Sequence, residues 1–350
     1  MSKVSMPGKI FGTVVSHGLK GRMLTKNELQ MLTESRDMDE LVTRMKNTVY
    51  LDALAKLTKP YTADKIENAL KEYLVNIHSK MVNISGGARI ISAYFVKHIT
   101  WNLKMILKGK ALGKSYDELL PKINLRAEEL VGRRDLVVKA LVSKTLEEAV
   151  STLAGSEFAE DVTKAAAIYK DKGDVRIFDV YLDHVFYHDL GRAMNTESQS
   201  LDAKNIVSVD IDSYNVLSIL RGKFWNLPAD DINNLMVAST SKVTKETIQK
   251  MINAEKISEV IGELSNTVYK DIVPQNQTSD IDSILQIEKG FEDIALKRAL
   301  SAFRTMFSVG IVLAALKLIM IEVRNLSAIA SGIEQKIPAE TILSKLININ

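Results

Sequence analysis

Residues 212–223 read Asp212-Ser213-Tyr214-Asn215-Val216-Leu217-Ser218-Ile219-Leu220-Arg221-Gly222-Lys223, and the core of that stretch is used three times. Asn102-Leu103-x-x-Ile106-x-x-Gly109 and Asn325-Leu326-x-x-Ile329-x-x-Gly332 repeat Asn215-Val216-x-x-Ile219-x-x-Gly222, at spacings of 113 and 110 residues. The likeness runs on past the glycine. Thirteen residues after each Asn stand Ser115, Pro228 and Pro338; fifteen after, the acids Asp117, Asp230 and Glu340; seventeen after, Leu119, Ile232 and Ile342. Upstream, Asn47-Thr48-Val49-Tyr50 reappears as Asn266-Thr267-Val268-Tyr269. A period of about 110 residues is too long for the stacked units of a solenoid, which run to roughly 34–47, and suits three similar compact domains.

The unit makes physical sense as a corner between helices. Each Gly falls where a helix would stop, so Gly109, Gly222 and Gly332 are expected in the left-handed conformation that glycine adopts at little cost. The residue thirteen after the Asn starts the next helix, as proline at its first position in two copies and as Ser115 capping with Glu118 in the other. The acid that follows sits at the positive end of that helix dipole. The Ile four after each Asn shares its face, which places Asn102, Asn215 and Asn325 on or beside the buried stripe. A buried amide needs partners, and the free backbone groups of the adjacent turn are the expected ones. These residues are read as builders, not ligands.

Helical punctuation continues elsewhere. Thr25 with Glu28 makes a capping box ahead of Leu29 and Leu32, and Asp37 with Glu40 a similar start ahead of Leu41 and Met45. Ile66, Leu70 and Leu74, and likewise Val142, Leu146, Val150 and Leu153, recur at helical spacing. The nearest approach to a strand, Val175 to Leu182, is short and leads into a helical pattern. Prolines 7, 60, 121, 228, 274 and 338 fall between periodic segments and mark joints, with loops expected over 58–63, 85–87, 170–174 and 274–280. The fold class is all-α.

The chain has 350 residues, 46% hydrophobic and 25% charged, enough for two or three globular domains. It has no cysteine, which removes disulfides, thiolate catalysis and cysteine-held metals. A formal charge of +3 lacks the concentrated basic surface that general nucleic-acid binding requires. Lys3, Lys9, Lys20, Arg22 and Lys26 precede the first acid, Glu28, and read as a solvated face. Met1 to Gly18 carries no secretory signal pattern. The run from Met306 to Ile321 is interrupted by Lys317, so it reads as a buried helix; a membrane span needs about 20 apolar residues.

Three patterns imitate chemistry. Gly109-Lys-Ala-Leu-Gly113-Lys114-Ser115 nearly matches a phosphate-binding loop, but its first glycine comes one residue too late and a helix precedes it. His184 and His188 are spaced to share a metal, yet Val185 stands where a zinc-protease helix carries Glu. Lys97, Lys104 and Lys108 share a helical face, read as solvated in preference to an anion site. No catalytic, cofactor-binding or metal-binding residue is assigned.

The sequence resembles the C-subunit family of the archaeal-type (A-type) ATP synthase, to which the d-subunit of the vacuolar ATPase is equivalent. Residues 212–223 are similar to that family's D-x-x-N-L-x-x-I-L-R-G-K segment, and Glu322-Val-Arg-Asn325-Leu-Ser-Ala-Ile-Ala330 to its E-x-x-N-L-x-x-I-A segment. The opening Leu24-Thr-Lys-Asn-Glu-Leu-Gln-Met-Leu32 with Asn47-Thr-Val-Tyr50 is similar to its N-terminal pattern. The first repeat departs from it at Ile99, where Asp212 and Glu322 supply an acid, and in a Lys-richer stretch before Ser115. The resemblance adds Asp212, Arg221 and Glu322 to the corner residues. It implies a funnel of three helical domains (1–127, 128–236 and 237–350) around a pseudo-threefold axis, without catalysis or cofactor of its own. Such a protein is a socket for a coiled-coil central shaft, seated on a membrane-embedded proteolipid ring, at the cytoplasmic face, passing torque between them. The rival reading is a generic helical scaffold that holds partner proteins together.

Overall fold

The computed structural model describes residues 6–196, 200–238, 242–275 and 279–349, with the side chains of Met6, Pro7 and Thr196 left aside. Lys3 and residues 276–278 of the expected 274–280 loop lie outside the described residues. The described residues are helical throughout, with no strand among them, and the expected helix starts are present. Thr25 caps Lys26–Thr33 in a complete capping box with Glu28, and Asp37 caps Met38–Lys46. The Val175–Leu182 segment enters the helix Ile177–Thr196.

One order of elements recurs. Two short helices, Lys26–Thr33 and Met38–Lys46, lead to the long helix Ala63–Ile84, the corner helix Val96–Ala111 and the short Tyr116–Leu119. Arg134–Val142 and Leu146–Thr152 lead, past Ala159–Lys172, to Ile177–Thr196, the corner helix Leu201–Phe224 and Ala229–Asn234. Lys245–Asn253 and Ile257–Ser265 lead to Asp280–Ala302, the corner helix Val309–Glu334 and Ala339–Lys345.

Packing passes each corner helix to the next long helix. Val96–Ala111 packs on Ile177–Thr196, and Leu201–Phe224 on Asp280–Ala302. The third corner helix returns to the beginning of the chain and packs along Ala63–Ile84, where Glu334 accepts a hydrogen bond from the Ala63 N–H at 3.0 Å. One large apolar cluster joins buried residues of 23–94, 186–237 and 296–349, and the other joins those of 99–185 and 209–291. The apolar run ending at Ile321 is the buried stem of Val309–Glu334, and no described helix is long and apolar enough to cross a membrane.

Candidate functional site

The three asparagines make the same pair of hydrogen bonds. Asn215 Nδ2 donates to the carbonyl of Val237 at 3.1 Å and its Oδ1 accepts from the N–H of that residue at 2.9 Å. Asn325 clamps Ile347 at 2.8 and 3.0 Å, and Asn102 clamps Asn124 at 2.6 and 3.3 Å. The partner is in each case the peptide 22 residues on, beyond the short helix, not the adjacent turn that the sequence pointed to. A side-chain amide imitates a backbone peptide here, pinning a segment that has no sheet to satisfy it. In the first repeat Asn102 also donates to Glu128 at 2.7 Å. Burial pushes the Glu128 carboxyl up to about 7, against the opposing pull of Asn102, and its other oxygen is buried without a partner.

The glycines serve a different purpose from the expected one. Gly109, Gly222 and Gly332 are inside their helices, and the left-handed residue comes four positions later, as Gly113, Asn226 and Lys336 with φ of 71°, 53° and 57°. Each glycine carbonyl accepts the closing bond of a Schellman turn, from Lys114, Leu227 and Ile337 at 2.8–2.9 Å. The reason for glycine is closeness. A Cβ would meet Leu119 at 2.3 Å, Ile232 at 2.7 Å and Ile342 at 2.6 Å, the three residues ten positions ahead on the short helix. Ser115, Pro228 and Pro338 all occupy the cap position of that short helix, the prolines one place earlier than expected, and the following acids fall in its first turn.

The acids three residues before the second and third asparagines hold the tyrosines of the repeated tetrads. Tyr269 donates to Asp212 at 2.6 Å, and Tyr50 donates to Glu322 at 2.6 Å. Asp212 also accepts from the Lys242 N–H at 2.9 Å, and Glu322 from the Leu24 N–H at 2.8 Å, so each acid anchors the start of a short-helix pair. Burial raises the Glu322 carboxyl above its usual range, opposed by those two donors. In the first corner Ile99 stands in the acid's place, and the residue in the facing tyrosine's place, in the second unit, is Phe158, whose N–H bonds Ser156 as Tyr50 bonds Thr48 and Tyr269 bonds Thr267. Both Ile99 and Phe158 are buried in one apolar cluster. Replacing donor and acceptor together leaves no orphaned polar group, which is why the exchange is tolerable.

The corner helices surround a cavity of about 620 Å³ to which each of the three contributes. Relative to the Asn, positions −5, −1, +2 and +6 face inward, giving Lys97, Trp101, Lys104 and Lys108 from the first and Asp210, Tyr214, Leu217 and Arg221 from the second. That is one helical stripe. At one end the helices close up: Ser200 and Ser308 hydroxyls are 3.0 Å apart, and a Cβ on Gly310 would lie 2.9 Å from the Ala203 nitrogen. Just inside, the Asp210 carboxylate accepts from the Tyr94 hydroxyl and from the Lys317 ammonium, uniting one residue from each repeat. Asp210 and Lys317 side chains are only 12% and 13% exposed.

Between apolar side chains such as Trp101, Phe186 and Leu217, the wall carries further ion pairs: Lys104–Asp183 at 2.6 Å, Lys108–Asp179 at 2.8 Å, Arg221–Glu288 at 3.0 Å, Lys71–Glu67 at 2.7 Å, and a two-pronged Arg324–Glu292. The lysine face therefore lines an interior, which corrects its reading as a solvated face. The sequence could have shown this, since superposing the three repeats puts Asp210 in the place of Lys97. The Lys97 ammonium makes no salt bridge or hydrogen bond among the described residues and lies 5.7 Å from the Phe186 ring centre. Burial lowers its ammonium from the usual lysine value, and Lys317 adds to the effect.

The chemical look-alikes are occupied by structure. The Lys114 N–H closes the Schellman turn and Ser115 caps with Glu118. His184 is held by Asp161 at 2.8 Å. With every corner residue engaged by backbone or neighbouring side chains, the arrangement offers rigidity and a charged interior surface.

The sequence model of the ATP synthase (C/AC39) subunit family matches residues 13–345. The A-type ATP synthase C-subunit of Methanocaldococcus jannaschii is 24% identical over 344 residues, 94% of this chain and 84% of that one. The protein of the same name from Pyrococcus abyssi is 27% identical over 333 residues, 93% and 86% of the two chains, and that from Archaeoglobus fulgidus 24% over 335 residues, 94% and 93%.

Proposed function

We propose, from the premise that this chain belongs to the ATP synthase (C/AC39) subunit family, that within an A-type ATP synthase it acts as the rigid coupling between a central shaft and a membrane ring. The family is a non-catalytic component of the rotary complex. One observation carries the finer reading: three like corner helices surround a common charged cavity and the last returns to the first, through Glu322 to Leu24 and Tyr50 and through Glu334 to Ala63. A torque-bearing socket must resist opening. A hoop whose ends are joined by buried bonds does so better than an open row of repeats, and close-packed interiors deform little.

In this reading the units 1–127, 128–236 and 237–350 stand around a pseudo-threefold axis as a funnel. The closed end near Ser200 and Ser308 faces a proteolipid ring, and the cavity receives a coiled-coil shaft. The chain attaches peripherally, at the cytoplasmic face, through that ring. Mixed charge on the wall suits docking, where complementarity sets register and encounter rate more than raw affinity. Native mass spectrometry of the purified chain with candidate shaft and ring proteins tests it. A one-to-one complex with the shaft protein is the expected result, and failure to bind either partner sinks the proposal.

A further inference from the structure

The charges on the cavity wall do not balance. Among the described residues it carries seven cations and six acids, and every acid is already matched to one cation in the six pairs given above. Lys97 is the cation left over. It sits beside the tie of Tyr94, Asp210 and Lys317, but both oxygens of Asp210 are spoken for by those two donors. Lys97 is half-buried on the cavity wall, and a partly desolvated cation without a counter-ion of its own costs free energy, so its retention asks for a reason outside the isolated chain. The cavity is of a size that accepts a turn of another chain.

Building on the shaft-socket reading, we propose that Lys97 is the seat for one carboxylate, an Asp or Glu side chain at the inserted tip of the shaft. Because the other wall charges satisfy one another, the rest of that tip meets paired charges and apolar side chains such as Trp101, Phe186 and Leu217, and Lys97 alone fixes its depth and register. The surplus ammonium draws the acidic tip to the floor of the cavity, and the carboxylate completes the seventh pair. A free anion would meet the same ammonium, so inorganic phosphate serves as the competing probe.

The test uses the full chain and the purified shaft protein. Lys97→Met should leave the melting temperature of the isolated chain unchanged or higher, since a counter-ion-free charge has been removed, while weakening shaft binding about 10- to 100-fold at 0.1 M salt. Lys97→Glu should bind more weakly still and regain affinity when one tip acid of the shaft is changed to Lys. Added phosphate at millimolar concentration should not displace the wild-type shaft. The inference is overturned if Lys97→Met binds within twofold of wild type, if it melts several degrees lower, if no tip acid-to-Lys change restores Lys97→Glu, or if phosphate competes fully. Failure of the wild-type chain to bind the shaft at all would instead remove the socket reading itself.

Discussion

Replacing Gly222 by alanine sets two known effects against each other. Inside a helix, glycine to alanine stabilises by about 1 kcal/mol. Against this, the new methyl would lie 2.7 Å from Ile232 Cγ1 and 3.0 Å from its Cδ1, where carbon pairs rest at about 3.5–4.0 Å. Ile232 is fully buried, so it must shift by roughly 1 Å into packed neighbours, and overpacking of this kind costs about 1–3 kcal/mol. The expected net loss for Gly222→Ala is therefore about 0–2 kcal/mol, and Gly222→Val, which adds two further methyls, should lose about 3 kcal/mol. Alanine at Gly109 should cost less, because the closest atom there is the rotatable Cδ2 of Leu119.

Denaturant unfolding of the four chains in a Gly222→Ala, Ile232→Ala cycle measures the contact directly. Ile232→Ala alone should lose about 2–5 kcal/mol by leaving a hole. With alanine at 222 the added methyl fills part of that hole, so the double variant should lose at least ~1 kcal/mol less than the two single losses together. Close helix contact as the reason for glycine fails if Gly222→Ala gains the whole helical increment, or if the two changes are additive.

Three further outcomes follow from the buried polar groups. Glu128 has its carboxyl raised from the ordinary value of 4.5 to about 7. Ionising it costs the folded chain nothing at pH 4.5 and progressively more up to pH 7, so Glu128→Gln should be more stable than wild type by about 3 kcal/mol at pH 8 and no better at pH 4.5; a pH-independent difference in thermal melts contradicts this. Tyr50→Phe removes a donor to Glu322, a carboxyl already raised by burial. It should cost about 1.5–3 kcal/mol, with the loss growing from pH 5 to pH 8 as the acid resists ionisation; a loss that shrinks with pH in the same melts would refute it. Phe158→Tyr places a hydroxyl in an apolar site beside no acid and should lose about 1–3 kcal/mol, which adding Ile99→Asp should partly restore. Unfolding curves showing no recovery in the double variant would mean that the first repeat does not share the geometry of the others.

The sequence alone determined that the chain is helical, that one unit occurs three times and which residues build its corners. Those features are written locally: caps, apolar stripes and the Asn-to-Gly spacing depend on neighbours within a few residues, and a period of about 110 can be found without knowing any contact. Tertiary structure decided what each residue does. The helix runs past Gly222 to Phe224 and turns at left-handed Asn226, and the glycine is needed because Ile232 presses against it. Asn325 could equally have capped its own turn, and its true partner, Ile347, is brought to it only when the short helix folds back. The tie from Glu322 to Tyr50 spans 272 residues, far beyond any periodic signal. Lys97, Lys104 and Lys108 look alike along the chain, and only the acids of a different helix, Asp183 and Asp179, make two of them paired and leave the third alone.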